Sequence, residues 1–139
     1  MIKTLASVVL VSLIPLVHAA ELPQFWDIRE LTDTWHPEIN VGKRWLKVDQ
    51  LTMLEAVHER IEFAAEYPAV LVIVRGETPN AFATIVNDRP IIGINFAMLD
   101  AVGMDEAQFA ALIGHELAHL KLEHGEAQRK RSIPKQVMS

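Results

Sequence analysis

The chain has 139 residues, no cysteine, and 13 Lys/Arg against 18 Asp/Glu, for a net charge of −5. That length fits one domain. The absence of cysteine excludes a disulfide framework and a lipoprotein attachment site, and the mild acidity argues against a nucleic-acid partner, which would call for a basic face.

The first segment has the layout of a secretory signal peptide: Lys3, an apolar stretch from Leu5 to Val17, and small residues at Ala19 and Ala20. The run from Thr4 to Val17 is 14 residues long and contains Pro15, short of the roughly 20 apolar residues a spanning helix needs. Cleavage is expected after Ala19, so residues 1–19 are the signal peptide and the remaining 120 residues are periplasmic or secreted. Losing Lys3 takes the net charge from −5 to −6.

Residues 20–48 show no sustained period and read as an irregular N-terminal arm, with a short helix around Asp27 to Leu31. Trp26, Trp35 and Trp45 are expected to pack onto the core. His36 precedes Pro37, which biases its backbone toward extended geometry, and it is expected at the surface.

From Asp49 to Glu66 the pattern is helical: Leu51, Leu54, Val57, His58, Ile61 and Ala65 recur at three- and four-residue steps. Asp49 is the expected N-cap and Pro68 the stop. His58 falls on the apolar stripe, the place of a satisfied boundary histidine. Ala69 to Val74 is a β-branched run with the length of a buried strand. Ala81 to Val86 reads as a second strand, Asn87-Asp88 as a turn, and Arg89 to Asn95 as a third strand, whose Pro90 suggests an edge position. Phe96 to Val102 is a short helix ended by Gly103. Asp105 and Glu106 open a last long helix, where the dipole favours negative charge. That helix runs toward Glu123 or beyond, with Gly125 as a natural breaker, and Arg129, Lys130 and Arg131 form a solvated basic end. It is apolar nearly all round from Ala107 to Leu122, the mark of a buried element. Residues 49–139 form one domain, and the order of elements is α+β.

Within that helix stands His115-Glu116-Leu117-Ala118-His119. The two histidines are about 6 Å apart along the axis and project from nearly the same face, so both imidazoles can converge on one zinc ion with contacts of about 2.0–2.1 Å. Glu116 borders that face, placed to take a proton from zinc-bound water and pass it to the leaving amine. Two histidines and a glutamate in an apolar helix are costly unless something pairs them, and a metal supplies the pairing. The competing reading is two core histidines bonded to backbone, with Glu116 reaching solvent.

The wider stretch from Gly114 to Gly125 resembles the motif helix of the gluzincin metallopeptidases, the group that includes the CAAX prenyl protease and bacterial periplasmic quality-control proteases. Pro79-Asn80-Ala81-Phe82-Ala83 resembles that family's Asn-Ala-Phe-Ala strand, and Ile91 to Asn95 with Met98-Leu99 its return strand and short helix. The similarity spans roughly residues 50 to 125. It implies a zincin-like fold: a small mixed sheet of about three strands with one hairpin, packed against an N-terminal helix and a long buried motif helix. It also implies Zn2+ as cofactor, His115 and His119 as ligands, Glu116 as general base, and Asn80, Ala81, Phe82 and Ala83 flanking a cleft in which an extended polypeptide substrate adds as a strand.

The family pattern breaks at the third ligand, a glutamate from a downstream Glu-x-x-x-Asp helix. Residues 127–139 contain no Asp, Glu or His. Glu123 lies one turn beyond His119 on the same stripe, Glu126 is seven residues past it, and His124 points elsewhere. His58, Glu77 and Asp100 are upstream candidates that nothing in the sequence selects. The domain is therefore read as shortened at its C-terminus, as a fragment, or as one completed by another residue or a partner chain. The expected function is zinc-dependent metalloendopeptidase. The alternative is a non-catalytic or incomplete module that binds protein through its cleft and edge strand.

Overall fold

The computed structural model describes residues 24–132, so the expected signal peptide lies outside the described residues. The elements in chain order are β1 (Phe25–Asp27), α1 (Ile28–Thr32), β2 (Glu38–Val41), β3 (Arg44–Lys47), α2 (Val48–Ala65), β4 (Val70–Val74), β5 (Ala81–Val86), β6 (Arg89–Asn95), α3 (Phe96–Val102) and α4 (Glu106–Ser132). The architecture is α+β, with a small mixed sheet and helices packed on it. Among the described residues no helix is long and apolar enough to cross a membrane.

The main sheet has the order β1-β4-β6-β5. β4 and β6 run parallel, with Val70 opposite Ile91 and Ile73 opposite Ile94, while β5 pairs antiparallel with β6 from Ala81–Ile94 to Val86–Arg89. The period-2 alternation of strands sends Leu71, Ile73, Ala81, Ala83, Ile92 and Ile94 into the main core. Val72, Val74, Phe82 and Ile91 form a second cluster. Gly93 is required by that second cluster, because a Cβ there would come within 2.3 Å of the Phe82 ring.

Leu51, Leu54 and Val57 of α2 meet Phe109, Leu112, Ile113, Leu117 and Leu120 of α4 and the inner strand residues in one core, each at most 3% exposed. Fully burying such a side chain stabilises the fold by about 1.5–3 kcal/mol, so this helix-on-sheet layer fixes where α4 lies.

Several expectations are corrected. The arm over residues 20–48 is structured: β1 adds to the sheet beside β4, and β2 and β3 make a separate hairpin. Gly42 and Lys43 turn that hairpin at φ 56° and 68°, the positive values a two-residue hairpin turn demands. Each strand is only four residues long, too short to show a period. The short helix is found at Ile28–Thr32, capped by Asp27, whose side chain accepts from the Arg29 N–H. Trp26 packs against Phe96 with ring centroids 6.0 Å apart, but Trp35 and Trp45 are 86% and 64% exposed. His36 is at the surface as expected, stacked on Trp35.

Asp49 sits in the first turn of α2 rather than capping it. The cap is Lys47, without a side-chain bond, and the Val48 N–H donates instead to the Pro37 carbonyl at 3.0 Å. The helix ends at Glu66 in left-handed geometry, two residues ahead of Pro68. β6 is central, not an edge: its pairing to β4 begins at Ile91, one residue after Pro90, so the missing proline N–H costs no bond in that ladder. α4 passes through Gly125 to Ser132, since glycine costs a helix only about 1 kcal/mol. Nor is α4 buried all round. Ala111, His115, Ala118 and Lys121 are exposed on its outer side, and Leu122 is 69% exposed.

Candidate active site

The core face of α4 reads Phe109, Leu112, Ile113, Glu116, Leu117 and Leu120, the three- and four-residue spacing of a helix packed along one side. Glu116 is the one ionisable residue in that row, and it is fully buried. The histidines stand on the adjoining side: His115 is exposed and His119 half-buried. The helix thus parts its motif, with a carboxylate held inside the protein and two imidazoles at its boundary. α4 packs directly against β5 and α2, which places the motif helix beneath the edge strand of the sheet.

His119 Nε2 is inaccessible to solvent and makes no hydrogen bond. Glu123 Oε1 approaches it to 3.1 Å, but without hydrogen-bond alignment. An imidazole nitrogen left in this way is a metal-donor atom without a proton partner, and His115 four residues earlier supplies a second nitrogen from the same stripe. With the buried Glu116 alongside, these side chains have the donor chemistry that fits zinc. His115 and His119 would hold it. Among the described residues, no cluster of three or more His, Asp or Glu side chains could hold a metal ion. The upstream candidates stand elsewhere. His58 is buried on α2 near Glu62, while Asp100 pairs with Arg44 and shares with Glu77 a cleft of about 660 Å³ beside the β2–β3 turn. The side chains of His124 and Glu126 lie outside the described ones.

Asn80, Ala81, Phe82 and Ala83 open the edge strand. Among the described residues β5 pairs on one side only. The side chains of Ala81, Phe82 and Ala83 are buried, so what this segment can offer a ligand is backbone. Asn80 Oδ1 is buried without a hydrogen-bond partner, an acceptor at the mouth of the strand.

One residue that sequence reasoning missed organises this edge. Asn95, 4% exposed, ends β6 and caps α3. Its Oδ1 accepts from the Met98 N–H at 2.9 Å and from the Asn80 N–H at 3.0 Å, and its Nδ2 donates to the Thr78 carbonyl at 2.7 Å. A fourth bond runs from its own N–H to the Asn80 carbonyl. Gly76 leaves the room for this amide, since a Cβ there would meet Asn95 Nδ2 at 2.1 Å. The detectable signal was an asparagine immediately before a helical segment, a preferred N-cap residue.

The motif helix carries the His-Glu-x-x-His pattern of a metallopeptidase. The model of Peptidase family M48 matches residues 46–137, and the chain belongs to that family. No curated protein and no solved structure matches it.

Proposed function

We propose that the chain is a zinc metalloendopeptidase in which Glu116 is the general base. The observation that carries this reading is the fully buried carboxylate between two boundary histidines on one helix. Taking a carboxylate out of water is expensive, and a purely structural helix would carry an apolar residue at that position. Zinc, when bound, supplies Lewis acidity, lowering the pKa of a coordinated water and polarising the scissile carbonyl. His115 and His119 would hold the ion. Glu116 takes a proton at a carboxylate oxygen and returns it to the leaving amine. β5 presents an edge that is unpaired among the described residues, and the substrate adds there as a strand through backbone hydrogen bonds.

The substrate class is polypeptide, and the similarity of residues 79–83 and 114–125 to the CAAX prenyl protease and periplasmic quality-control branch supports unfolded or extended chains. The signal-peptide layout of residues 1–19 supports a periplasmic or secreted location. The third zinc ligand comes from another chain or from sequence outside the described residues, as the absence of a three-residue cluster among them favours. That absence also favours a second reading, a module that holds polypeptide along β5 without cleaving it.

The test compares the purified chain with Glu116→Gln. We expect both to hold zinc by elemental analysis, and the substitution to lower cleavage of an unfolded protein by about 10²–10⁴-fold. Unchanged cleavage in Glu116→Gln would remove the assigned base. Polypeptide binding by a zinc-supplemented wild type that cuts nothing would establish the second reading.

A further inference from the structure

The two faces of the main sheet are covered differently. All four helices and the β2–β3 hairpin send side chains into the core on one face. The cluster on the other face holds strand residues alone: Val72 and Val74 of β4, Phe82 of β5 and Ile91 of β6, with Val70 and Val86 packed against them. Among the described residues no helix adds a side chain to it. Yet Val72, Val74, Phe82 and Ile91 are only 1%, 3%, 8% and 6% exposed, and Thr84, on the same face by strand alternation, is 0% exposed. A side chain standing on a sheet has neighbours beside it but none above it, unless a second layer packs there. Phe82 makes the point most sharply. Its ring lies over Gly93, so one flat side meets the sheet and the other must meet something else.

The way the chain enters the sheet points to the cover. β1 begins at Phe25, directly opposite Val74, and opposed residues share a face. The Phe25 side chain therefore stands at the edge of this second face, and residues 1–24 lead into it. Leu5 to Val17 is an apolar run of 13 residues without a charge. Wound as a helix it would be about 20 Å long, against about 17–23 Å for strands of five to seven residues. Residues 18–24 can span up to about 24 Å, more than the width of about 14 Å across four strands. Residues 133–139 match less well. They follow α4, whose core residues lie on the opposite face, and they carry Lys135.

We propose that residues 5–17, while still attached to the chain, lie across this face and supply its second layer. The segment then has two places for its apolar surface, a membrane-inserting pathway and the sheet of its own domain. Val72, Val74, Phe82 and Ile91 form the floor, and Phe25 marks the side from which the segment arrives. On this reading, cleavage after Ala19 removes the cover together with the leader and leaves the face bare, an apolar patch of the kind that marks an interaction surface. The proposal does not rest on the zinc chemistry of α4.

The experiment uses the full chain, made by cell-free synthesis so that the leader stays attached. The chain has no cysteine, so one introduced thiol reports from one place. Val72→Cys tests the second face, and Val57→Cys makes the same change in the main core. Each is followed by its rate of reaction with Ellman's reagent, alone and combined with Val8→Asp, Leu10→Asp and Leu13→Asp, three positions spread round the segment. We expect both thiols to react slowly in the chain with the unaltered segment. The three aspartates should speed the reaction at Val72→Cys by about tenfold or more, since exposing a single buried leucine already costs that much. The rate at Val57→Cys should stay as it was. Fast reaction of Val72→Cys beneath the unaltered segment overturns the proposal, and so does a rate that the aspartates leave unchanged. Protection of Val72→Cys that disappears on dilution assigns the cover to a second copy and overturns it as well. An equal rise at Val57→Cys overturns it too, because the segment would then hold the whole domain and not one face.

Discussion

Two packed helices carry the same spacing, a histidine followed four residues later by a glutamate: His58 and Glu62 on α2, His119 and Glu123 on α4. The closer pair is the more exposed. On α4 the atoms are 3.1 Å apart with side-chain exposures of 31% and 35%, whereas on α2 they are 3.9 Å apart with exposures of 8% and 29%. Spacing alone does not decide what such a pair does. On α2 burial presses the imidazole toward its neutral form, and its Nε2 is shut off from solvent without a hydrogen-bond partner. On α4 both side chains are about one-third exposed, so solvent screens their mutual attraction, although the His119 Nε2 atom itself is turned inward.

The largest difference should come from removing each histidine in turn. His119→Ala is expected to weaken zinc retention by more than the roughly 10–100-fold that loss of an outer-shell partner costs, and to abolish cleavage. His58→Gln should leave zinc content unchanged. Zinc loss in both variants would erase the distinction between the pairs.

Asn95 supplies a third case, a buried polar side chain with every partner inside the protein. Asn95→Ala removes a helix cap and strands the Asn80 N–H and the Thr78 carbonyl. Urea unfolding should show a loss of about 3 kcal/mol. A loss under about 1 kcal/mol would mean that water replaces the amide at the strand mouth.

A smaller effect is expected from pH. Burial lowers the His58 pKa below 6.5, against the opposing pull of Glu62, Glu59 and Glu55 on its own helix. Asp88, Arg29 and Arg89 are the charged groups across the cavity of about 440 Å³ that His58 lines. Below pH 6.5 the unfolded chain takes up a proton that native His58 resists, so this residue's share of stability is present above that pH and is lost as pH falls toward the folded value. His58→Gln should flatten the stability profile below pH 6.5. An unchanged slope would show that the imidazole protonates freely in the folded state. The smallest effect is expected from Glu123→Gln, which removes a half-exposed pair at helical spacing: about 0.5 kcal/mol or less by thermal unfolding, with zinc content unchanged.

Much of the domain was legible because its periods are long. The 18-residue α2, the β-branched β4 and the Asn87-Asp88 turn of the β5–β6 hairpin stand close to where their patterns put them. The His-Glu-Leu-Ala-His run was visible because its chemistry requires a fixed spacing. The β2–β3 hairpin was not, since two four-residue strands fall below the length at which alternation can be distinguished from chance. Pro90 misled because a proline N–H matters only in the ladder it would join. The environment of His58 could not be read either. A cavity is made by α1, α2, β4 and β6 together, and no local pattern records where four segments fail to fill space. Glu116 lay between these extremes: its type was plain, but its burial depends on how α4 rotates against β5.

α4 has 27 residues, a length of about 40 Å, whereas strands of six or seven residues extend only about 20 Å. Among its described side chains the last in the core is Leu120, and Leu122 is already in solvent. Amide protons up to about Leu120 are therefore expected to exchange only through opening of the whole domain, while those of Leu122 and Glu123, whose side chains stand outside the core, are expected to exchange by more local opening. His119 sits on the last turn protected in the first way, and Glu123 on the first protected in the second. The second imidazole is thus held in position by the cooperative unfolding unit of the protein, on the last turn of that hold among the described side chains.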